Sequence, residues 1–320
     1  GRVHVSGGTT NRVTLDKAII VRSVNGPAVT IIAGRTASVA TNRGNAAVRC
    51  AYVGTNATLA GFSLTNGHTR LTGADTDAGG VLGAYLANSV ISNCVISACS
   101  GGSPGGVKYG VLFNCTISGA TGGGGVSYSA LESCLIYGCS GGFASGADQC
   151  TLNNSAVVAN NGTGARLSWL TNCTVAGNTY AFGAAGVESC SLINSIVHGN
   201  NGTNYVTSSF TNCCTSPDPG AGTGNMTNDP VFANPSILNF RLSPRSPCLD
   251  KASNAFVTTT TDLDGRPRIF GSSVDMGAYE LNGPAFGGTW FVATNGSDIA
   301  AGSSWNSALL TIQTAADYAW

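Results

Sequence analysis

The sequence predicts an all-β chain: a right-handed parallel β-helix of about nine or ten coils, with one short amphipathic capping helix near the C-terminus. Three observations predict it. A pattern of about 20 residues recurs between residues 88 and 214, with starts 18 to 22 residues apart. Such a period marks a solenoid. Within each copy Val, Ile, Leu and Thr alternate with polar residues, the period of a strand. Gly-Gly, Asn-Gly or Ser-Gly closes each run, where the chain is expected to turn through positive φ.

Residues 1–215 supply the coils. The chain opens on short strands and glycine turns with no cap before them, and residues 12–32 and 46–67 read as early, looser coils. Asp75 and Asp77 fall in an insertion, His68 to Gly80, expected to project as a loop. The regular copies start at Asn93, Asn114, Ser133, Asn154, Asn172, Asn194 and Asn212. Coils stacked about 4.8 Å apart turn equivalent positions into columns. Cys94, Cys115, Cys134, Cys173 and Cys213 form one, with Ser155 and Ser195 filling two rungs. Ile96, Ile117, Ile136, Val157, Val175 and Val197 form a second. The Asn column (Asn93, Asn114, Asn154, Asn172, Asn194, Asn212) is expected to bond amide to amide, rung to rung.

Twelve cysteines would suggest a disulfide framework in a small secreted domain. In register within repeats they read instead as small buried hydrophobes. Adjacent rungs hold side chains parallel, a poor disulfide geometry, and Cys99/Cys139 and Cys150/Cys190 share offsets two rungs apart. Cys214 and Cys248, off the ladder, are the better disulfide candidates.

Residues 216–281 change character, with clustered prolines and charges, and read as the closing segment. Residues 282–288 read as a linker. Residues 289–320 read as a strand, a Gly/Asp turn and a helix from about Trp305 to Ala319. Ala308, Ile312, Ala315, Ala316 and Ala319 share one face of that helix, and Ser303 or Ser304 can cap it.

Only 9% of residues are charged, against roughly 25% in typical soluble proteins, and the formal net charge is zero. That gives no support for nucleic acid or an anionic membrane as partner. No run approaches the roughly 18 apolar residues of a membrane span. Glycine, at 45 residues, is about twice its usual share of roughly 7%. An uncharged surface rich in Asn, Thr, Ser and Gly suits packing against copies of itself and reads as extracellular. With no basic-then-apolar leader, a mature, processed form is expected.

Three segments carry a family resemblance. They are a D-P-x-F strand at Asp229 to Phe232, an R-L-x-x-x-S-P-C-x-D turn at Arg241 to Asp250, and the ending D-x-D-G-x-P-R…D-x-G-A-Y-E at Asp262 to Glu280. Together they resemble secreted bacterial right-handed parallel β-helix surface proteins of the pectate-lyase-like, choice-of-anchor type. That family opens with a strand, G-S-D and a T-I-Q-x-A helix, matched here at Phe291 to Asp298 and Thr311 to Ala315, so its N-terminal cap stands displaced at the C-terminus. The resemblance implies the fold and says little about activity.

Lyases of this fold need clustered carboxylates for Ca²⁺ and a basic residue beside a uronate; the Asn-Thr-Asp, Asp-Asp and Gly-His-Gly motifs of polygalacturonases are absent. In coils 81–214 the acids are Glu132, Asp148 and Glu188 and the bases Lys108 and Arg166, besides His198, which reads as an exposed turn residue. Hydrolysis needs two carboxylates about 5 to 9.5 Å apart. These three do not obviously converge, so no enzyme, no cofactor and no metal site is expected. The cluster Asp262, Asp264, Arg266, Arg268, Asp275 and Glu280 could hold Ca²⁺. Its arginines favour instead a turn and ion pairs closing the bottom of the helix.

A solenoid end exposes strand edges and open core and so needs a cap. Leu281 to Gly288 reaches at most about 28 Å, and nine or ten coils make a rod of about 45 Å. If residue 281 ended at the far end, the cap could not return to its own first coil; it could if residues 216–281 ran back along the rod. The expectation is an extracellular filament or stalk, assembled head to tail from copies of the chain. The contact would join Trp290, Phe291, Val292, Trp305, Leu309, Ile312, Ala315, Ala316 and Ala319 to Val3, Val5, Val13 and Leu15. The alternative is a surface adhesin or polysaccharide-binding module, with Tyr109, Tyr128 and Trp169 stacking on sugar rings.

Overall fold

The computed structural model describes residues 8–38, 43–73, 75–281, 289–298, 302 and 304–319, with side chains to residue 316. Among them the chain winds through nine coils. Coil 1 holds strands Thr10–Leu15, Ile20–Arg22 and Ile31–Ala33; coil 9 holds Asn201–Val206, Ser209–Thr211 and Cys214–Thr215. Each coil gives one strand to each of three nine-stranded parallel sheets, here A, B and C in chain order. This is the parallel β-helix the sequence predicts.

The interior is three aliphatic columns. Sheet A turns Ala51, Val81, Val107, Val126, Ala147, Ala165 and Val187 inward. Sheet B gives Leu59, Ile91, Leu112, Leu131, Leu152, Leu170, Leu192 and Phe210. Sheet C gives Leu64 and then the Ile/Val column read from the sequence. Each such side chain contributes about 1.5–3 kcal/mol by leaving water.

The corners repeat one device. Sheets B and C are joined by a residue at φ 50–54°, Asn93, Asn114, Ser133, Asn154, Asn172, Asn194 or Asn212. Asparagine tolerates this left-handed region better than most residues. The next position, the Cys94 column, is buried. Serine there receives a backbone bond, as from Cys134 N and Cys173 N to Ser155 and Ser195 Oγ, both 3.0 Å. All twelve cysteines are buried free thiols. Burial pushes Cys139, Cys150 and Cys173 up to about 12, so they hold little thiolate and act as packing. Cys214 and Cys248 lie in one apolar cluster as free thiols.

A second ladder, not foreseen, stands at the corner leaving sheet C. Asn178 Oδ1 accepts from Asn160 N and Nδ2, both at 2.9 Å. Asn200, half-buried, repeats this for the buried Asn178 at 3.0 Å. Most glycines that close the runs turn at positive φ as expected, among them Gly119, Gly122, Gly138, Gly141, Gly177 and Gly199, but a second set does not. Gly80, Gly106, Gly125, Gly146, Gly164 and Gly186 are outside the positive-φ set. They stack where the chain enters sheet A. A Cβ on Gly146 would lie 2.2 Å from Gly164 O and 2.4 Å from Val157 Cγ1. Close approach, not turn geometry, demands glycine there.

The insertion projects only in part: Leu71 to Gly73 are exposed, whereas Asp75 to Gly80 lie against the coils. Arg49, fully buried, pairs with Asp75 and donates to Ala78 O at 2.7 Å, and Lys108 Nζ meets Asp77 Oδ2 at 2.7 Å. These two ion pairs fold the loop onto sheet A.

The closing segment runs back along sheet C. Ser253, Phe256 and Thr261 offer their carbonyls to Asn194, Asn172 and Asn154 Nδ2 at 2.8, 2.9 and 3.0 Å, descending from coil 8 to coil 6. Three members of the Asn column thus tie down this segment, and Asn194 also donates to Asn172 Oδ1 at 3.0 Å. Tyr279 packs with Ala156 and Val158 of coil 6. Five rungs from coil 6 to coil 1 are about 24 Å, within the linker's reach of about 28 Å. The condition for excluding the cap's return to its own rod is not met.

The linker, 282–288, lies outside the described residues, as do Val3 and Val5. Beyond it the helix spans only Ile312–Ala319, after a 3₁₀ turn at Trp305–Ser307. Thr311, rather than Ser304, caps it: its Oγ1 accepts from Thr314 N at 3.1 Å, and Ser303 lies outside the described residues. Leu309 and Ala315 pack with Trp290, Val292 and Ala233 of the closing segment of the same chain. Ala308 precedes the helix, so the expected face is broken, and Ile312 is 79% exposed and Trp305 70%.

Candidate functional site

The chemistry-bearing side chains of the coils gather on one flank. Lys108, Ser127, Asp148, Arg166 and Glu188 follow one another on adjacent rungs of sheet A. Glu132 stands apart on sheet B and half-buried His198 ends a strand of sheet C, not a turn. Asp148 and Glu188 are two rungs, about 9.6 Å, apart along the column. That is near the upper limit for an inverting carboxylate pair. Arg166 occupies the rung between them, its Nε 3.1 Å from Asp148 Oδ1 and its guanidinium over the Phe143 ring at 4.8 Å. The rung between the two carboxylates is thus held by a cation already paired with one of them.

Lys108 is no better placed as a base. Burial works against its charge, but Asp77 more than offsets this and raises its pKa above the usual lysine value. A catalytic lysine needs the opposite shift. Its ammonium also lies over Tyr109 and Tyr128, 5.0 and 5.3 Å from the ring centroids.

Those tyrosines belong to the edge where sheet A turns into sheet B. The left-handed corner residues, Tyr109, Tyr128, Gln149 and Leu167 on successive coils, project outward there. Tyr85 precedes them, 67% exposed, with centroids 5.0 Å to Tyr109 and 5.6 Å from Tyr109 to Tyr128. Gln149 Nε2 donates to Tyr128 Oη at 2.6 Å and continues the ladder. Beneath these rings runs a groove of about 420 Å³, floored by Ser129, Ala130 and Thr151. A second groove of about 630 Å³ follows on the same edge, with Leu167, Trp169, Tyr205 and Ser209 in its walls. Trp169 is 63% exposed. The three aromatic residues singled out in the sequence thus share one edge.

The carboxylates of the charged cluster of the closing segment are engaged from within, although Arg266 Nη2 and Arg268 Nε are buried without a hydrogen-bond partner among the described residues. Asp262 accepts from Asp264 N, Arg266 N and Glu280 N at 2.8 to 2.9 Å. Asp275 accepts from Asp250 N and Leu281 N, and Arg268 Nη1 meets Glu280 Oε2 at 2.9 Å. Arg241 forks onto Asp264 at 2.5 and 2.6 Å. These contacts shape turns on the flank of sheet C, not at the bottom of the helix. Among the described residues no group of three His, Cys, Asp or Glu converges on a metal position.

Of the expected interface, Val13 and Leu15 line the interior of coil 1, and Leu309 and Ala315 are buried. Trp290, Phe291, Val292 and Ala316 are half-buried, and the Ala319 side chain lies outside the described residues. No helix among the described residues is long and apolar enough to cross a membrane.

Among solved structures the chain resembles the pectate lyase Pel9A. Identity is 14% over 72% of this chain and 73% of that one, with a TM-score of 0.43, a likeness of fold. No family model and no curated protein matches the sequence.

Proposed function

We propose that this chain is a non-catalytic, extracellular β-helix that binds polysaccharide along the edge between sheets A and B. The observation that carries this reading is the ladder Tyr85, Tyr109, Tyr128 and Gln149 above an open groove. Exposed rings on a rigid scaffold supply flat apolar area and hydroxyl partners at little entropic cost. Against catalysis stand the Arg166 guanidinium between Asp148 and Glu188 and the engagement of Lys108 by Asp77. A glycan array probed with the wild type and with the double variant Tyr109→Ala, Tyr128→Ala tests it. Binding by the wild type that the variant loses is expected; an array without a ligand would refute the reading.

A second reading, a head-to-tail structural subunit, draws on different residues. Ile19, Ile20, Val24, Val29 and Ile31 are exposed around coil 1, whose three strands each have one neighbour among the described residues. Trp305, Leu310 and Ile312 are exposed on the C-terminal unit. Two such patches on one molecule suit a heterologous contact between copies. Negative-stain microscopy with and without residues 289–320 separates the readings: filaments that vanish on deletion favour assembly, discrete rods in both samples exclude it.

A further inference from the structure

Resting on the polysaccharide reading above, we infer that the edge takes an electrically neutral glycan lying parallel to the rod axis, and not a uronic-acid polymer. Three observations carry this. Neither groove has a charged side chain in its walls. Among the described residues the cations beside the grooves are already engaged: Lys108 is bonded to Asp77 at 2.7 Å and Arg166 to Asp148 at 3.1 Å. The adjoining face of sheet A carries Asp148 and Glu188 against Lys108 and Arg166, and Asp77 of the insertion lies between Lys108 and Arg43, so the face has no excess of positive charge to attract carboxylate-bearing chains.

The direction follows from the repeat. The two grooves follow each other along one corner from coil 3 to coil 9. Six rungs of about 4.8 Å give a track of roughly 29 Å. One hexopyranose unit is close to one rung in length, so successive sugars of an extended chain meet equivalent positions. Tyr85, Tyr109 and Tyr128 stand on three consecutive coils, and Trp169 lies two coils further on. A chain crossing the edge would meet a single rung. A chain along it meets all of them, so binding grows with oligosaccharide length.

Calorimetry on the full chain tests this with cellohexaose, xylohexaose and mannohexaose against hexagalacturonate, from about 0.05 to about 1 M NaCl, a range that collapses the screening length. The expected result is a neutral hexasaccharide that binds equally across the salt range and weakens about tenfold or more when shortened to the disaccharide. Tyr128→Ala and, separately, Trp169→Ala should each weaken it with unchanged melting temperature. Hexagalacturonate bound in its place, released by salt and by Arg166→Ala, would overturn the inference and leave polysaccharide binding standing. A neutral ligand whose affinity ignores chain length would overturn the axial path. No binding of any of the four, with an empty array, would overturn the polysaccharide reading itself.

Discussion

Glu280 shows how the closing segment treats its charges. Burial pushes its carboxyl up to about 8 and that of Asp275 up to about 6, despite backbone donors and Arg268. An acid whose folded pKa lies above its unfolded value contributes most stability below the unfolded value. That contribution is lost as pH rises through the folded one. For Glu280 the window runs from about 4.5 to about 8, and for Asp275 from about 3.8 to about 6. Urea midpoints should therefore fall between pH 4.5 and 8.5, and Glu280→Gln should flatten the upper part of that fall. A midpoint that rises with pH would show the pair fully compensated. Arg268, almost completely buried, donates to Glu280 and to Gly277 O at 2.6 Å. Removing it as Arg268→Ala leaves a buried unpaired carboxylate only where Glu280 is ionised, so the loss should reach about 3–5 kcal/mol in the same assay above about pH 8 and be smaller below it.

At the scale of elements, the columns divide by how much of them the sequence displays. The sheet C column and the Cys94 column are legible because a pair, Asn or Ser followed by Cys or Ser, ends two residues before each Ile or Val of the sheet C column from Ile96 on, so one local motif sets the register. The Asn160–Asn178–Asn200 ladder shares its position with Cys99, Ala120 and Cys139, a change of residue type that conceals one column. The signal was their common offset. Asn178→Ala orphans Asn160 N–H and amide donors inside the wall. At about 1–3 kcal/mol per unsatisfied group, a loss near 3 kcal/mol or more is expected from chemical unfolding. Gly146 illustrates the other concealment: composition cannot separate a glycine needed for φ from one needed for space. Gly146→Ala drives a methyl group toward Gly164 O and Val157. Its melting temperature should drop as for an overpacked core, by about 1–3 kcal/mol or more, whereas an alanine tolerated without loss would mean the rungs can separate there.

At the scale of the molecule, fold class was legible because repetition reports itself, whereas the paths of the non-repeating parts were not. The insertion hides its fold in ion pairs across coils, Asp75 to Arg49 and Asp77 to Lys108, that no local pattern announces. The closing segment hides its return path in bonds from Asn154, Asn172 and Asn194, residues whose repeat suggested only bonding to each other. That path moves the chain's exit to the middle of the rod and lifts the constraint on where the C-terminal unit docks. The candidate site was legible as three aromatic residues and illegible as an edge. Tyr109 and Tyr128 occupy the left-handed corner, but Trp169 opens the strand of the next sheet, so no single offset joins them. The measurement that bears most directly on the account is a crystal structure of the chain soaked with the neutral hexasaccharide that binds best. Sugar rings lying along the corner over Tyr109 and Tyr128 are expected; sugars seated instead across Asp148, Arg166 and Glu188 of sheet A would contradict it.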